Sequence, residues 1–458
     1  MSSSILAPPR SASESLRYHS SLSRLRAALA FYVPQGHGVG LDGVHPSAVD
    51  EWTASRRLDL VREVSGQIRD GSYRFTNYRQ GMMSRGIERA PRVFSIPTIK
   101  DRLALFCLQS VLKDVYGVSG PEPSQHKMRR VIDDVMTEEY GRFLKIDIVD
   151  YFGSVRHEML YAGLSKKIRS KKLLSLIDRA IRNRTVPYGT RSGGLSSSPD
   201  GIPLGISISS TLAEVYLEDF DRMASLGCRY FRYVDDILVL CEDSERKYQD
   251  LRFRLERLGL EVHELPTLGK TLSGSADEPF EYLGYEISGS RVRVARRGVL
   301  KIESRIAQIV AKYAKSVDRS ESSINRLKWD LNIAIGGCVI NGEARGWIRY
   351  FNRLNDLAQL GHLDALVKKV LHRHGLHGVA PKRFINSYWA SRSNSRFASF
   401  AFNCDRVFPA EARDILTQHL GWGSAEVREL DDRAALAALR RLIEKRSADF
   451  ERDLESVY

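Results

Sequence analysis

Cys228-Arg229-Tyr230-Phe231-Arg232-Tyr233-Val234-Asp235-Asp236-Ile237-Leu238-Val239-Leu240 sets two adjacent carboxylates between short runs of β-favouring residues, the pattern of a hairpin with an acidic tip. Side-by-side carboxylates repel one another unless a cation sits between them and a further acid, or unless the stretch is an ordinary solvated turn. Phosphoryl transfer gives the first arrangement a purpose: two Mg2+ ions about 4 Å apart activate a 3′-hydroxyl and stabilise a departing pyrophosphate. Such a site needs an acid from another strand. Phe143-Leu144-Lys145-Ile146-Asp147-Ile148 alternates loosely and is rich in β formers, which predicts Asp147 near the end of a buried strand. An unpartnered acid there is expensive, so a metal ligand is favoured over a packing role. Asp150 better suits a turn or cap ahead of a helix starting near His157.

In chain order, Asp147, Gly201-Ile202-Pro203-Leu204-Gly205 and Tyr233-Val234-Asp235-Asp236 resemble the palm of a reverse transcriptase, of the bacterial branch similar to group II intron enzymes. Arg92-Val93-Phe94-Ser95-Ile96-Pro97-Thr98-Ile99-Lys100-Asp101-Arg102 resembles the fingers signature of that branch. Gly40-Leu41-Asp42-Gly43-Val44 resembles its N-terminal motif, and Phe280-Glu281-Tyr282-Leu283-Gly284-Tyr285 its primer grip. The resemblance runs from about residue 36 to 360.

It implies an α+β right-hand polymerase with fingers, palm and thumb, followed by an α-rich C-terminal extension. The expected divisions are a tail and helix over 1–35, fingers with part of the palm over 36–135, and palm over 136–290. A helical thumb over 291–375 and the extension over 376–458 complete the chain. Asp147, Asp235 and Asp236, with the Ile148 carbonyl, are implied to hold two Mg2+ ions, with Mn2+ as a substitute. Arg92 is implied to contact the incoming triphosphate, with a second basic contact from Arg85 or Arg89; a guanidinium can clamp phosphate oxygens bidentately. Phe152 stands where the family places an aromatic gate against a ribose 2′-hydroxyl, which favours deoxynucleotides. Lys270 resembles the lysine that can protonate the leaving pyrophosphate, although a phosphate-neutralising or surface role is equally open. Gly205 lets the backbone approach the nascent pair, whereas Leu204 departs from the Gln common in relatives and is reminiscent of defence-associated enzymes. Tyr282, Leu283, Gly284 and Trp347 are implied to contact primer and template.

The net charge of +14 and pI near 9.5 call for an acidic partner, and nucleic acid fits the palm. No apolar run reaches the roughly 18 residues of a membrane-spanning helix, and the Ser-rich N-terminus lacks the apolar segment of a secretory signal. Cys107, Cys228, Cys241, Cys338 and Cys404 are odd in number and scattered, which fits a reducing cytoplasm. No Cys-x-x-Cys pair marks a zinc-bearing endonuclease domain, and His372, His374 and His377 suit a basic helix end better than a metal.

Helices are predicted over 45–75, 98–118 and 157–184, with a flexible loop over 187–200. Lys166, Lys167, Arg169, Lys171 and Lys172 face either template or solvent. The aromatic, basic stretch 380–410 and a last helix near 431–450 bind a dedicated RNA, mediate oligomerisation or pack on the thumb. The expected function is RNA-directed synthesis of DNA from deoxynucleotides, copying a cognate noncoding RNA in antiphage defence. The alternatives are an intron-type or domesticated maturase acting as an RNA-binding protein, and a template-independent or protein-primed DNA polymerase.

Overall fold

Buried Phe143, Leu144 and Ile146 along Arg142–Asp147 and a continuous buried run along Asp236–Cys241 build the sheet that carries the acidic hairpin. The computed structural model describes residues 11–455 except 37, 85–89, 119, 121, 123, 138, 188, 190–199, 268, 316–319 and 420–421. The chain divides into two units, Met1–Ser124 with Arg142–Gly274, and Gln125–Gly141 with Ser275–Tyr458.

In the first unit, strands Arg229–Tyr233, Asp236–Cys241, Arg142–Asp147 and Leu272–Ser275 lie side by side in that order. The hairpin closes with Tyr233 opposite Asp236, leaving Val234 and Asp235 as its two-residue loop. On the other side Asp147 is opposite Asp236, so the two acids form a cross-strand pair. Helices His157–Ser165, Lys171–Ile181, Ser209–Ala224 and Ser244–Arg257 belong to the same unit. Their buried faces include Leu160, Leu176, Leu212, Leu217 and Leu251, which join Ile146, Ile237 and Val239 in one core. The helical stretch expected over 157–184 is two helices, because Ser170 caps a new start by accepting from Leu173 N. Lys166 and Lys167 pair with Asp219 and Glu218 of the neighbouring helix, and Lys172 donates to the Arg69 carbonyl.

A second sheet joins Tyr78–Met83 antiparallel to Arg92–Ile96 and parallel to Thr185–Val186. Helix Ile99–Tyr116 follows, with Thr98 as its N-cap. The glycine-aspartate-glycine motif is a device for that helix start. Asp42 Oδ2 accepts from Ile99 N at 3.0 Å, and a Cβ on Gly40 would lie 2.8 Å from the Thr98 Cα. Arg102 fastens the same corner through the Gly38 and Pro97 carbonyls. The region predicted as a helix over 45–75 opens as a 3-10 turn, Pro46–Glu51, before the α-helix Ala54–Asp70.

The second unit holds an antiparallel meander of Phe280–Tyr282, Tyr285–Ser288 and Arg291–Val294. The meander packs with the helices that follow it. The Tyr285 ring stacks on Tyr350 and meets Phe351 edge-on, and Tyr350 OH donates to the Leu283 carbonyl at 2.9 Å. After Gln125–Gly141 the unit resumes at Ser275. Helices Arg296–Ala314, Glu321–Gly336 and Leu357–Arg373 make its helical part. Cys338–Ile340 is the central strand of a small sheet, antiparallel to Glu343–Arg345 and parallel to Phe402–Asn403. Cys338 and Ile340 share a core with Cys404, Leu416, Leu439 and Ile443, so the chain's last helices pack against this strand. Its last helix, Asp432–Glu455, is capped by Asp431 through Ala434 N. No helix among the described residues is long and apolar enough to cross a membrane.

Candidate active site

The site is assembled where the acidic hairpin meets the end of the strand bearing Asp147. Ile148 N donates to the Asp235 carbonyl at 3.2 Å, which ties the hairpin tip to that strand end. On its other side, Val149 N donates to Glu261 O and His263 N to Asp147 O, so residues 261–263 run alongside 147–149. Lys270 Nζ sits 2.7 Å and His263 Nε2 3.3 Å from Asp147 Oδ2, and Thr271 Oγ1 accepts from Asp147 N at 3.4 Å. Asp236, almost wholly buried, lies 3.5 Å from Lys145 Nζ.

Asp235 is the strained member of the set. Its Oδ1 is buried and accepts no hydrogen bond among the described residues. Burial first, and the negative charge of Asp147 second, push its carboxyl above the ordinary carboxylate value; Arg92 and Lys270 pull the other way. Among the described residues no three or more His, Cys, Asp or Glu side chains stand together as a ready-made metal cluster. Asp147 is turned toward Lys270, and Asp236 lies beside Lys145. The donors still fit a hard divalent cation. They are carboxylate oxygens, and the buried, hydrogen-bond-free Asp235 Oδ1 beside Asp147 marks a local shortage of positive charge.

The glycine turn borders this region. Gly201 N donates to Val155 O and Ile202 N to Phe152 O, which places Phe152, half-buried, against the turn. Leu204 O accepts from Ser95 N at 2.7 Å, joining the turn to the strand that begins with Arg92. Gly205 has φ +96°, and a Cβ there would lie 3.0 Å from Ser95 O and 3.2 Å from Phe94 Cβ. Gly205→Ala is expected to cost about 1–3 kcal/mol in strain and contact, read as a lowered thermal midpoint with the fold retained.

Asp147, Asp235, Asp236, Arg92 and Lys270 therefore come together, with Phe152, Leu204 and Gly205 on the adjoining turn. Arg85 and Arg89 lie outside the described residues. Tyr282, Leu283, Gly284 and Trp347 belong to the second unit, and there the side-chain contacts expected of them are closed off. Tyr282, Leu283 and Trp347 are 0%, 1% and 3% exposed, and Trp347 packs on Phe351 and Phe384 while its Nε1 donates to Gly298 O. The Leu283-Gly284 turn, both residues at positive φ, has only its backbone to offer a primer. Asp150 adopts a left-handed conformation ahead of the short helix Tyr151–Ser154, the turn role expected of it.

Sequence reasoning missed Lys145, His263 and Arg232. Lys145 was readable, being two residues from Asp147 on one strand and so on the same face. His263 carried no local signal, because only the pairing of Ile148 with Val262 brings it to Asp147.

Residues 85–287 match the family described as reverse transcriptase (RNA-dependent DNA polymerase). That segment is therefore similar to a reverse transcriptase domain. The chain is similar to protein YkfC of Escherichia coli strain K12, with 21% identity over 348 residues, covering 65% of this chain and 86% of that protein. Among solved structures it is similar to apo telomerase from Candida tropicalis, truncated from its C-terminal domain, with TM-score 0.37 and 13% identity. It is also similar to telomerase from Candida albicans in complex with a fragment of telomeric RNA, with TM-score 0.40 and 13% identity. These matches cover 48% and 87% of this chain, which spans 55% and 66% of the respective telomerase chains.

Proposed function

We propose that the chain copies RNA into DNA by adding deoxynucleotides to a 3′-hydroxyl, and that its template is a cognate noncoding RNA used in bacterial antiphage defence. The observation that carries the polymerase reading is Asp235, buried beside Asp147 and surrounded by Lys270 and Arg92. When bound, Mg2+ would lower the pKa of the attacking hydroxyl and offset charge on the departing pyrophosphate, with Asp147 and Asp235 as ligands and Asp236 and the Ile148 carbonyl alongside. Arg92 meets the triphosphate. Lys270, paired with Asp147 here, would neutralise the pyrophosphate or pass it a proton. The +14 charge supports an RNA partner, and the Escherichia coli relative supports a bacterial setting. Leu204 in place of Gln supports the defence role over a mobile-intron role, and cysteines that form no disulfide suit the cytoplasm.

The test is labelled deoxynucleotide incorporation by the protein purified with its accompanying RNA, with and without RNase, beside Asp235→Asn/Asp236→Asn. Incorporation that requires both the aspartates and the RNA supports the reading, and the product's sequence names the template. Incorporation that survives RNase points to untemplated or protected-template synthesis. Phe152 supplies the discrimination between sugars. Phe152→Ala is expected to raise ribonucleotide use relative to deoxynucleotide use by about tenfold, the scale of one apolar steric contact, measured as the ratio of kcat/KM for the two.

A further inference from the structure

Arg232 is buried in the strand that ends in the acidic hairpin, 6% exposed, and every one of its five N–H groups is used. Nε and Nη2 donate to the two oxygens of Asp221 at 2.8 and 2.6 Å. Nη1 and Nη2 donate to the two oxygens of Glu214 at 3.1 and 2.9 Å. The remaining Nη1 proton goes to the Val234 carbonyl at 3.0 Å. Both carboxylates come from one helix, Ser209–Ala224, seven residues apart and so on one face. Tyr230 OH adds a bond to Asp221 at 2.6 Å.

The last of the five bonds is the informative one. Val234 has φ +56°, a left-handed conformation that a β-branched residue adopts only under constraint. It is the residue before Asp235 in the two-residue loop. A buried ion cluster is weak support for stability, since apolar replacements are often neutral or better. A cluster spending one donor on this strained peptide has another use. The helix holding Arg232 also starts from the glycine turn, where Ser209 Oγ donates to Pro203 O at 2.6 Å and Leu204 O is held by Ser95 N. The clamp thus links the nucleotide-side turn to the loop that aims Asp235.

We propose that Arg232 is a positioning residue for the phosphoryl-transfer site, fixing through the Val234 carbonyl the strained loop that points Asp235 at the metal, with Glu214 and Asp221 as its anchors. The proposal rests on the polymerase reading, and its test separates the two. Full-length Arg232→Lys keeps the charge but loses the planar fork. Arg232→Met/Glu214→Gln/Asp221→Asn removes the whole cluster without stranding a buried charge. Each is compared with the wild type in three ways: kcat and KM for deoxynucleotides across a Mg2+ titration, Mn2+ binding by electron paramagnetic resonance without substrate, and thermal unfolding.

The expected result is a folded Arg232→Lys protein with kcat lowered about 10- to 100-fold, as misplacement of a reacting group produces. Its KM for deoxynucleotide stays within about twofold of wild type, the signature of an interaction made in the transition state. Mn2+ binding weakens in both variants. Wild-type kcat and wild-type Mn2+ binding in folded variants overturn the proposal and leave the cluster a structural one. Absence of incorporation by the wild type overturns the polymerase reading instead, and the Mn2+ comparison still decides whether Arg232 shapes the site. If the triple variant unfolds, Arg232→Lys carries the same decision alone.

Discussion

Asp235→Asn is expected to abolish nucleotide incorporation while leaving the metal-free protein as stable as the wild type or more so. The loss should reach about a thousandfold, some 4 kcal/mol of transition-state stabilisation, because this carboxylate and Asp147 are the pair proposed to hold the cation. The stability half follows from the same geometry. Burial and Asp147 raise the Asp235 carboxyl above its ordinary value, so the folded state holds this proton more tightly than the unfolded chain does. Stability from this group is full below the unfolded carboxylate range and is lost as pH rises through the raised value. Above that raised value, in chelator, the ionised wild-type residue is a burden that Asn lacks. Thermal unfolding with and without Mg2+ checks both halves: the cation should raise the wild-type midpoint more than that of Asp235→Asn. A large fall in the midpoint of the metal-free variant would contradict the account.

Asp101→Ala is expected to destabilise the first unit by about 3 kcal/mol, because each buried donor left without an acceptor costs roughly 1–3 kcal/mol. Asp101 is fully buried and accepts from Tyr73 OH at 2.8 Å, Thr98 Oγ1 at 2.7 Å and Thr76 N at 3.3 Å. Burial pushes its carboxyl up, while those bonds hold it down. Part of the loss is therefore recovered by removing a costly charge, which keeps the net figure near the lower end of the sum. The thermal midpoint should fall by roughly 6–12 °C on the scale of a domain of this size. Asp101→Asn, which keeps one acceptor oxygen, should fall less. An unchanged midpoint for Asp101→Ala would show that water replaces the carboxylate without cost.

Asp101 also shows where the sequence was legible and where it was not. It lay inside a stretch recognised by resemblance, yet nothing local says that it receives a tyrosine hydroxyl from 28 residues away. The acidic hairpin and the strand of Asp147 were readable because short runs of apolar and β-favouring residues write themselves into a few consecutive positions. Lys270 was readable only through resemblance, and its 2.7 Å approach to Asp147 is a tertiary fact. Trp347 shows a limit of local reading: an aromatic flanked by arginines suits a nucleic-acid platform or a helix core equally in sequence, and only the fold shows its indole packed on Phe351, Phe384 and the Gly298 carbonyl. The break within the helical stretch over 157–184 had a visible mark in Ser170, a capping residue that periodicity alone passes over.

The two-residue strand Phe402–Asn403 has a consequence out of proportion to its length. It covers one edge of Cys338–Ile340, a strand whose three residues are all buried. Cutting the chain near residue 376 would bare that edge and the apolar face beneath it, an invitation to pair with other molecules. A shortened protein would then clump before its chemistry could be assayed. Deletion mapping of the C-terminal region would therefore register insolubility as loss of function, and point changes on its exposed face are the sounder way to ask what that region touches.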